Sequence, residues 1–224
     1  MSTVVIIGAT RGIGREMAKQ YADDGARVVA THRKPEDAAA LRAFGARALQ
    51  LDVTDSASID SFASHLRNEQ IDIAVLNAGI FGQRTSGVEA VAKAEFDAVM
   101  HTNVWAPMQV IPVLMPGLTA ARGKLVLISS RMGSIALMTG TSGWLYRASK
   151  AAANSVLRAS SLELGPRGVV CMSFHPGWVR TGMGGAGADI DVTTSVAGIR
   201  RVIAAANDSH NGKFLNYTGE QFDW

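Results

Sequence analysis

Short apolar, largely β-branched runs recur along the chain: TVVIIG (3–8), RVVATH (27–32), ARALQLD (46–52), IDIAVLNAG (71–79), GKLVLISS (123–130) and GVVCMSF (168–174), with KFLNY (213–217) as a candidate seventh. Helix-length stretches separate them, with apolar residues three and four apart. In GIGREMAKQYADDGA, residues Ile13, Met17 and Tyr21 share a face and Gly25 is a natural C-terminal cap. TDSASIDSFASHLRNEQ has Asp55 or Ser56 as N-cap, and Asp191 can cap DVTTSVAGIRRVIAAA. The stretch 95–118 is long and holds Pro107 and Pro112, which predicts a bend or local break there. Strands apolar on both faces, alternating with helices, predict a parallel sheet covered on both sides. The pattern predicts one α/β domain over 1–224, doubly wound, with about seven strands. There is no internal repeat, low-complexity tract or linker.

Composition adds limits. Hydrophobic residues make up 47% and charged residues 18%, enough for a sizeable core and against long disorder. The net charge of +3 is scattered rather than gathered into a stripe, which argues against nucleic acid as a partner. Cys171, the single cysteine, lies in an apolar run and reads as a core residue. The opening MSTVVIIGATRG lacks a basic n-region, and no apolar run approaches the roughly 18 residues of a membrane span. These features predict a soluble, cytoplasmic protein without membrane contact.

In a doubly wound sheet, ligands bind beyond the carboxyl ends of the strands. The first such loop is GATRGIG, with Gly8, Gly12 and Gly14 around Thr10, Arg11 and Ile13. Glycines there allow a tight turn and close approach of backbone amides to phosphate at a helix N-terminus. The spacing is GxxxGxG, and alone it would equally suit a packing turn. The second strand ends in His32 and Arg33, where many dinucleotide-binding folds carry an acid for the ribose hydroxyls. Arg33 and Arg11 together suit a 2′-phosphate that an acid would repel, which favours NADP(H) over NAD(H). Asp52 and Val53 end the third strand and Asn77, Ala78 and Gly79 the fourth, positions fit for an adenine edge and a closely packed cofactor. Asp52 reads equally well as a turn residue. Ser129 and Ser130 end the fifth strand, Asn103 lies in the long helical stretch, and Tyr146 and Lys150 stand four apart at a helix start. At that spacing the phenol and ammonium share a face and can point at one ligand.

With GATRGIG (8–14), NAG (77–79), Asn103, SS (129–130), YRASK (146–150) and HPGWVRT (175–181) in this order, the chain resembles the short-chain dehydrogenase/reductase family over nearly its whole length. Its short length and the closing GKFLNYTGEQFDW are similar to the sniffer and C-factor-like branch. The resemblance implies a Rossmann-type fold and an NADP(H)-dependent interconversion of a carbonyl and an alcohol. It implies Tyr146 as acid–base, Lys150 as holder of the nicotinamide ribose that lowers the tyrosine pKa, and Ser130 as hydrogen-bond donor to the substrate oxygen. Asn103 would position a water in a proton relay, and Pro176, Gly177, Val179 and Thr181 would line the nicotinamide side. The segments 93–116 and 146–164 resemble a homodimer surface.

The chain departs from the family pattern at Ile7, where a threonine is usual, and at Leu76, where an asparagine is common. MTGTSG (138–143) lengthens the interval from Ser130 to Tyr146. The segment GMGGAGADID (182–191) is a short lid, which suggests broad carbonyl acceptance, with Met132, Met138, Trp144, Trp178 and Met183 as candidate pocket liners. His175 reads as structural, and the five histidines lack metal-ligand spacing. The competing reading is an NADP(H)-binding regulatory or intercellular-signalling protein with vestigial turnover; the intact Ser–Tyr–Lys set counts against it.

Overall fold

The computed structural model describes residues 1–224. Each apolar run forms a strand: β1 (Thr3–Ile7), β2 (Arg27–His32), β3 (Arg47–Gln50), β4 (Ile73–Leu76), β5 (Lys124–Ile128), β6 (Val170–His175) and β7 (Lys213–Asn216). They lie parallel in the order β3-β2-β1-β4-β5-β6-β7. An eighth strand, β8 (Gln221–Phe222), folds back antiparallel on β7 through Gly219 at φ +100°. Two residues carry no periodic signal, so the expectation of about seven strands did not include it.

Seven helices cover the sheet: α1 (Gly12–Asp23), α2 (Ala38–Arg42), α3 (Ser56–His65), α4 (Lys93–Met100), α5 (Ala106–Ala121), α6 (Trp144–Leu164) and α7 (Val192–Ala205). Val4 and Val5 show why the strands read as unbroken apolar runs. Both are fully buried, yet Val5 joins the core beneath Phe62, Leu114 and Leu157 while Val4 joins the one beneath Met17, Leu41 and Ile199. Successive side chains alternate faces, and both faces carry helices. Local signals set the helix ends. Asp55 accepts from the Ala57 and Ser58 amides, and Asp191 from Thr194. Gly25, at φ +78°, follows α1.

The long helical stretch differs from the expectation. No break falls at Pro112, which lies inside α5. The irregularity is one turn of π-helix, His101–Trp105, where the Ala106 amide reaches back to the His101 carbonyl. Pro107 explains its place: it has no N–H to offer the Asn103 carbonyl, and its ring crowds that carbonyl. The stretch Lys93–Ala121 is also long and apolar enough, at mean hydropathy 1.3, to cross a membrane by length and composition alone. The sequence expectation missed this because it counted unbroken apolar runs. Here Val110, Leu114 and Leu118 of that stretch belong to a buried core, and α5 packs against β4 and α6.

The crossovers diverge from β1, which pairs with β2 on one side and β4 on the other. The crevice outside the carboxyl ends of β1 and β4 is therefore the switch point where such sheets bind ligands.

Candidate active site

The glycine loop opens this crevice. A Cβ on Gly14 would lie 2.2 Å from the Gly8 carbonyl oxygen, and one on Gly8, at φ +84°, would lie 2.8 Å from the Ala78 amide. Only glycine lets loop and strand end approach so closely. Two bonds supply what Ile7 and Leu76 cannot. The Gly8 amide donates to the Thr31 hydroxyl at 2.9 Å, and Asn77 Nδ2 donates to the Gly8 carbonyl at 2.6 Å. Arg11 precedes α1 with no side-chain cap, so amides of the first turn remain available to a phosphate. Thr181 faces this loop: its Cγ2 lies 3.3 Å from where a Gly12 Cβ would stand. These features fit a dinucleotide diphosphate.

Arg11 and Arg33 are both exposed. Burial pushes the Asp52 carboxyl up, but Thr54, through its hydroxyl and amide, and then Arg33 hold it below its ordinary value. One Asp52 oxygen is committed to Thr54, as in a turn residue. Val53 stands beside it, half-buried.

Beyond β5, Ser130 accepts from the Met132 amide at 3.1 Å, and it acts to lower the pKa of the Tyr146 phenol. The Ser129 hydroxyl is buried without a partner. Lys150 Nζ donates to the Ile128 carbonyl at 3.0 Å and lies 5.7 Å from the Tyr146 ring centroid. Glycines make room for it: a Cβ on Gly79 would stand 3.4 Å from Nζ, and one on Gly133 2.8 Å from the Lys150 backbone. Asn103 is locked. Its Oδ1 accepts from the Ile80 amide at 2.9 Å, and its Nδ2 donates to the Ile80 carbonyl and to Ser149 Oγ. The side chain is thus spent on fixing the loop after β4. Pro107, having no N–H, cannot donate to the Asn103 backbone carbonyl.

The electrostatics differ from the expectation in one respect. Burial pushes the Tyr146 phenol up to about 12, against the lowering effect of Ser130, and pushes Lys150 down to about 8. Tyr146 and Lys150 are only 7% and 5% exposed, and water-poor surroundings favour the neutral form of both acid and base. Burial, rather than the neighbouring lysine, sets the direction of the Tyr146 shift. Burial also lowers His175 to about 4, with Arg131 adding to the effect, so its imidazole is neutral and packs on Phe222, as a structural residue does.

Pro176 accepts from Ser195 through its carbonyl, and Gly177, at φ +86°, lies against Ile190. Val179 bridges to Ile190 and anchors the lid after β6. A cavity of about 550 Å³ opens beside this lid, lined by Arg131, His175, Gly177, Trp178, Tyr217 and Phe222. It begins one residue beyond Ser130 and Pro176. The sequence reading missed Thr31, Ser149, Arg131 and Phe81: Ser149 lies inside YRASK but was given no role there, and the other three stand outside the motifs, with Phe81, two residues after NAG, having the nearest signal.

A glycine loop at the switch point, with serine, tyrosine and lysine converging at the next strand ends, defines a dinucleotide-dependent oxidoreductase architecture. The chain belongs to the short chain dehydrogenase family, whose profile matches residues 2–206. It is 36% identical over 165 residues to C-signal of Myxococcus xanthus, covering 73% of this chain and 99% of that protein. Carbonyl reductase Sniffer of D. melanogaster superposes with a TM-score of 0.90 at 27% identity, with all of both chains covered. A short-chain dehydrogenase/reductase from Burkholderia multivorans, solved with bound NADP, gives 0.90 at 30% identity, covering 100% of this chain and 99% of that one.

In the ligand-free protein Lys150 should lose its proton as the pH passes about 8, while Tyr146 keeps its own until about 12. NMR titration of labelled lysine and tyrosine side chains reads both. A phenol ionising near neutral pH beside a lysine at its ordinary value near 10.5 would contradict the burial account.

Proposed function

We propose that the protein is an NADP(H)-dependent oxidoreductase of the cytoplasm that interconverts an aldehyde or ketone and its alcohol. The observation that carries this reading is the convergence of Ser130, Tyr146 and Lys150 in a buried pocket next to the uncapped glycine loop. Relatives solved with bound NADP or NADPH support the cofactor. Gly8, Thr10, Arg11, Gly12, Ile13 and Gly14 would hold its diphosphate, and Arg11 and Arg33 its 2′-phosphate. Asp52 and Val53 would border the adenine. Asn77, Ala78 and Gly79 would carry the middle of the molecule, and Pro176, Gly177, Val179 and Thr181 the nicotinamide. The bound cofactor supplies a hydride.

The chain's own residues supply the proton side. Tyr146, neutral at physiological pH, donates its phenolic proton to the substrate oxygen, and Ser130 hydrogen-bonds the same oxygen as charge gathers on it. The Lys150 ammonium stands near the phenolate so formed and stabilises it, and Lys150 also holds the ribose. The Asn103 carbonyl, which Pro107 cannot serve as a donor, would hold a water leading to Lys150. A phenol this reluctant to ionise suits carbonyl reduction more than alcohol oxidation at neutral pH. The same reading gives a homodimer through 93–116 and 146–164, where Phe96, Met108 and Leu162 are exposed.

The likeness to C-signal favours a second reading, NADP(H) binding in the service of signalling with vestigial turnover. It predicts cofactor affinity without catalysis.

Followed by NADPH absorbance over a panel of aldehydes, ketones and quinones, the protein should turn over several of them. Tyr146→Phe should lower the rate by about 10²–10⁴, the usual worth of a general acid. Absence of any turnover, or equal rates in the variant, would refute the assignment. Arg33→Asp should weaken NADPH binding far more than NADH binding; equal losses would sink the phosphate-pocket reading.

A further inference from the structure

Phe81 has no part in the roles assigned so far, yet it touches the group on which they depend. Its ring stacks on that of Tyr146, with centroids 4.5 Å apart and planes 22° from parallel. The Arg84 guanidinium also lies over the Phe81 ring, 4.7 Å from its centroid. One ring face does not admit two such neighbours at that distance, so phenol and guanidinium cover opposite faces. Arg84 has no carboxylate partner among the ion pairs of the molecule. Instead its Nη2 donates to the Met183 carbonyl at 2.6 Å, in the lid after β6. The tip of Phe81 fills space that only a glycine at position 143 leaves open. A Cβ there would stand 2.8 Å from Phe81 Cζ, with the Met132 methyl 3.2 Å away on the same side.

The stack therefore joins three loops that meet at the site. Phe81 and Arg84 come from the loop after β4, Met132 and Gly143 from the loop after β5, and Met183 from the lid after β6. We infer that Phe81 is a positioning residue for Tyr146, held against it by the Arg84 bridge to Met183, an inference that rests on Tyr146 being the acid–base. The phenyl face fixes the plane of the phenol, so that its hydroxyl stays directed at Ser130 and the incoming oxygen. It also covers the ring from water. Offset stacking at this separation is a favourable aromatic geometry, and a guanidinium over the far face adds a cation–π contact. The arrangement gives the lid a direct mechanical link to the phenol: with Met183 in place, Arg84 clamps Phe81; with the lid displaced, the clamp loses its carbonyl anchor.

Steady-state kinetics on Phe81→Ala, Phe81→Trp and Arg84→Met, with the best substrate of the panel, test this. Phe81→Ala should lower kcat by roughly tenfold, the upper end of what one aromatic pair contributes, with the KM for NADPH unchanged. Phe81→Trp should restore most of the rate. Arg84→Met, at an exposed position that tolerates change, should lower kcat by about threefold alone and by nothing further in the Phe81→Ala background. A kcat within twofold of the parent in Phe81→Ala, or additive losses in the double variant, would overturn the inference. Tyr146→Phe is measured alongside. Loss there with none in Phe81→Ala removes the positioning role alone, whereas no loss in Tyr146→Phe removes the acid–base reading itself. Should Phe81→Ala fail to fold, Arg84→Met at the parent rate would overturn the clamp.

Discussion

Lys150 carries an ammonium into a pocket almost closed to water, where the protein offers it the Ile128 carbonyl at 3.0 Å. A buried cation needs a polar partner and room for its stem, and the surroundings of Lys150 meet both needs. Ile128 ends β5, so the acceptor is fixed by the sheet. A Cβ on Gly133 would collide with Lys150 at 2.8 Å, and one on Gly79 would press on Nζ at 3.4 Å. Tyr146, four residues earlier on α6, is carried to the same place by the helix repeat, and Ser130 arrives from the end of β5 two residues beyond the acceptor. The position of this one amine thus orders the strand ends, the helix start and the two glycines around it.

The same burial sets the chemistry. In this pocket an acid is harder to ionise and a base easier to neutralise, so the phenol, pushed up to about 12, keeps its proton, while the amine, pushed down to about 8, still carries its charge at neutral pH. That state is suited to giving a proton to a substrate oxygen. On the proposed reading the proton must be replaced, and the π turn at His101–Trp105 lies beside that route. Pro107 cannot donate to the Asn103 carbonyl, while the Asn103 side chain is fully used in holding Ile80 and Ser149.

Much of this was legible in the sequence. The strand runs, the caps at Asp55 and Asp191, the glycine loop and the Tyr146–Lys150 spacing are local signals, and each appears where the pattern predicts. What escaped depends on tertiary placement. The two-residue β8 has no period of its own. Thr31 replaces a missing hydroxyl from a neighbouring strand, a substitution visible only once β1 and β2 lie side by side. The expectation that Lys150 lowers the tyrosine pKa left out the desolvation of both groups. Phe81 reads as an ordinary apolar residue until the loops after β4 and β5 close on the same ring.

The central claim is that hydride from NADPH and a proton from Tyr146 reach the same carbonyl group in this pocket. Reduction of a ketone with NADPH deuterated at the nicotinamide C4 position tests it most directly. The account predicts deuterium at the carbinol carbon of the alcohol, from one face of the nicotinamide only. An alcohol with no deuterium at that carbon, or NADPH consumed without alcohol formed, would contradict it.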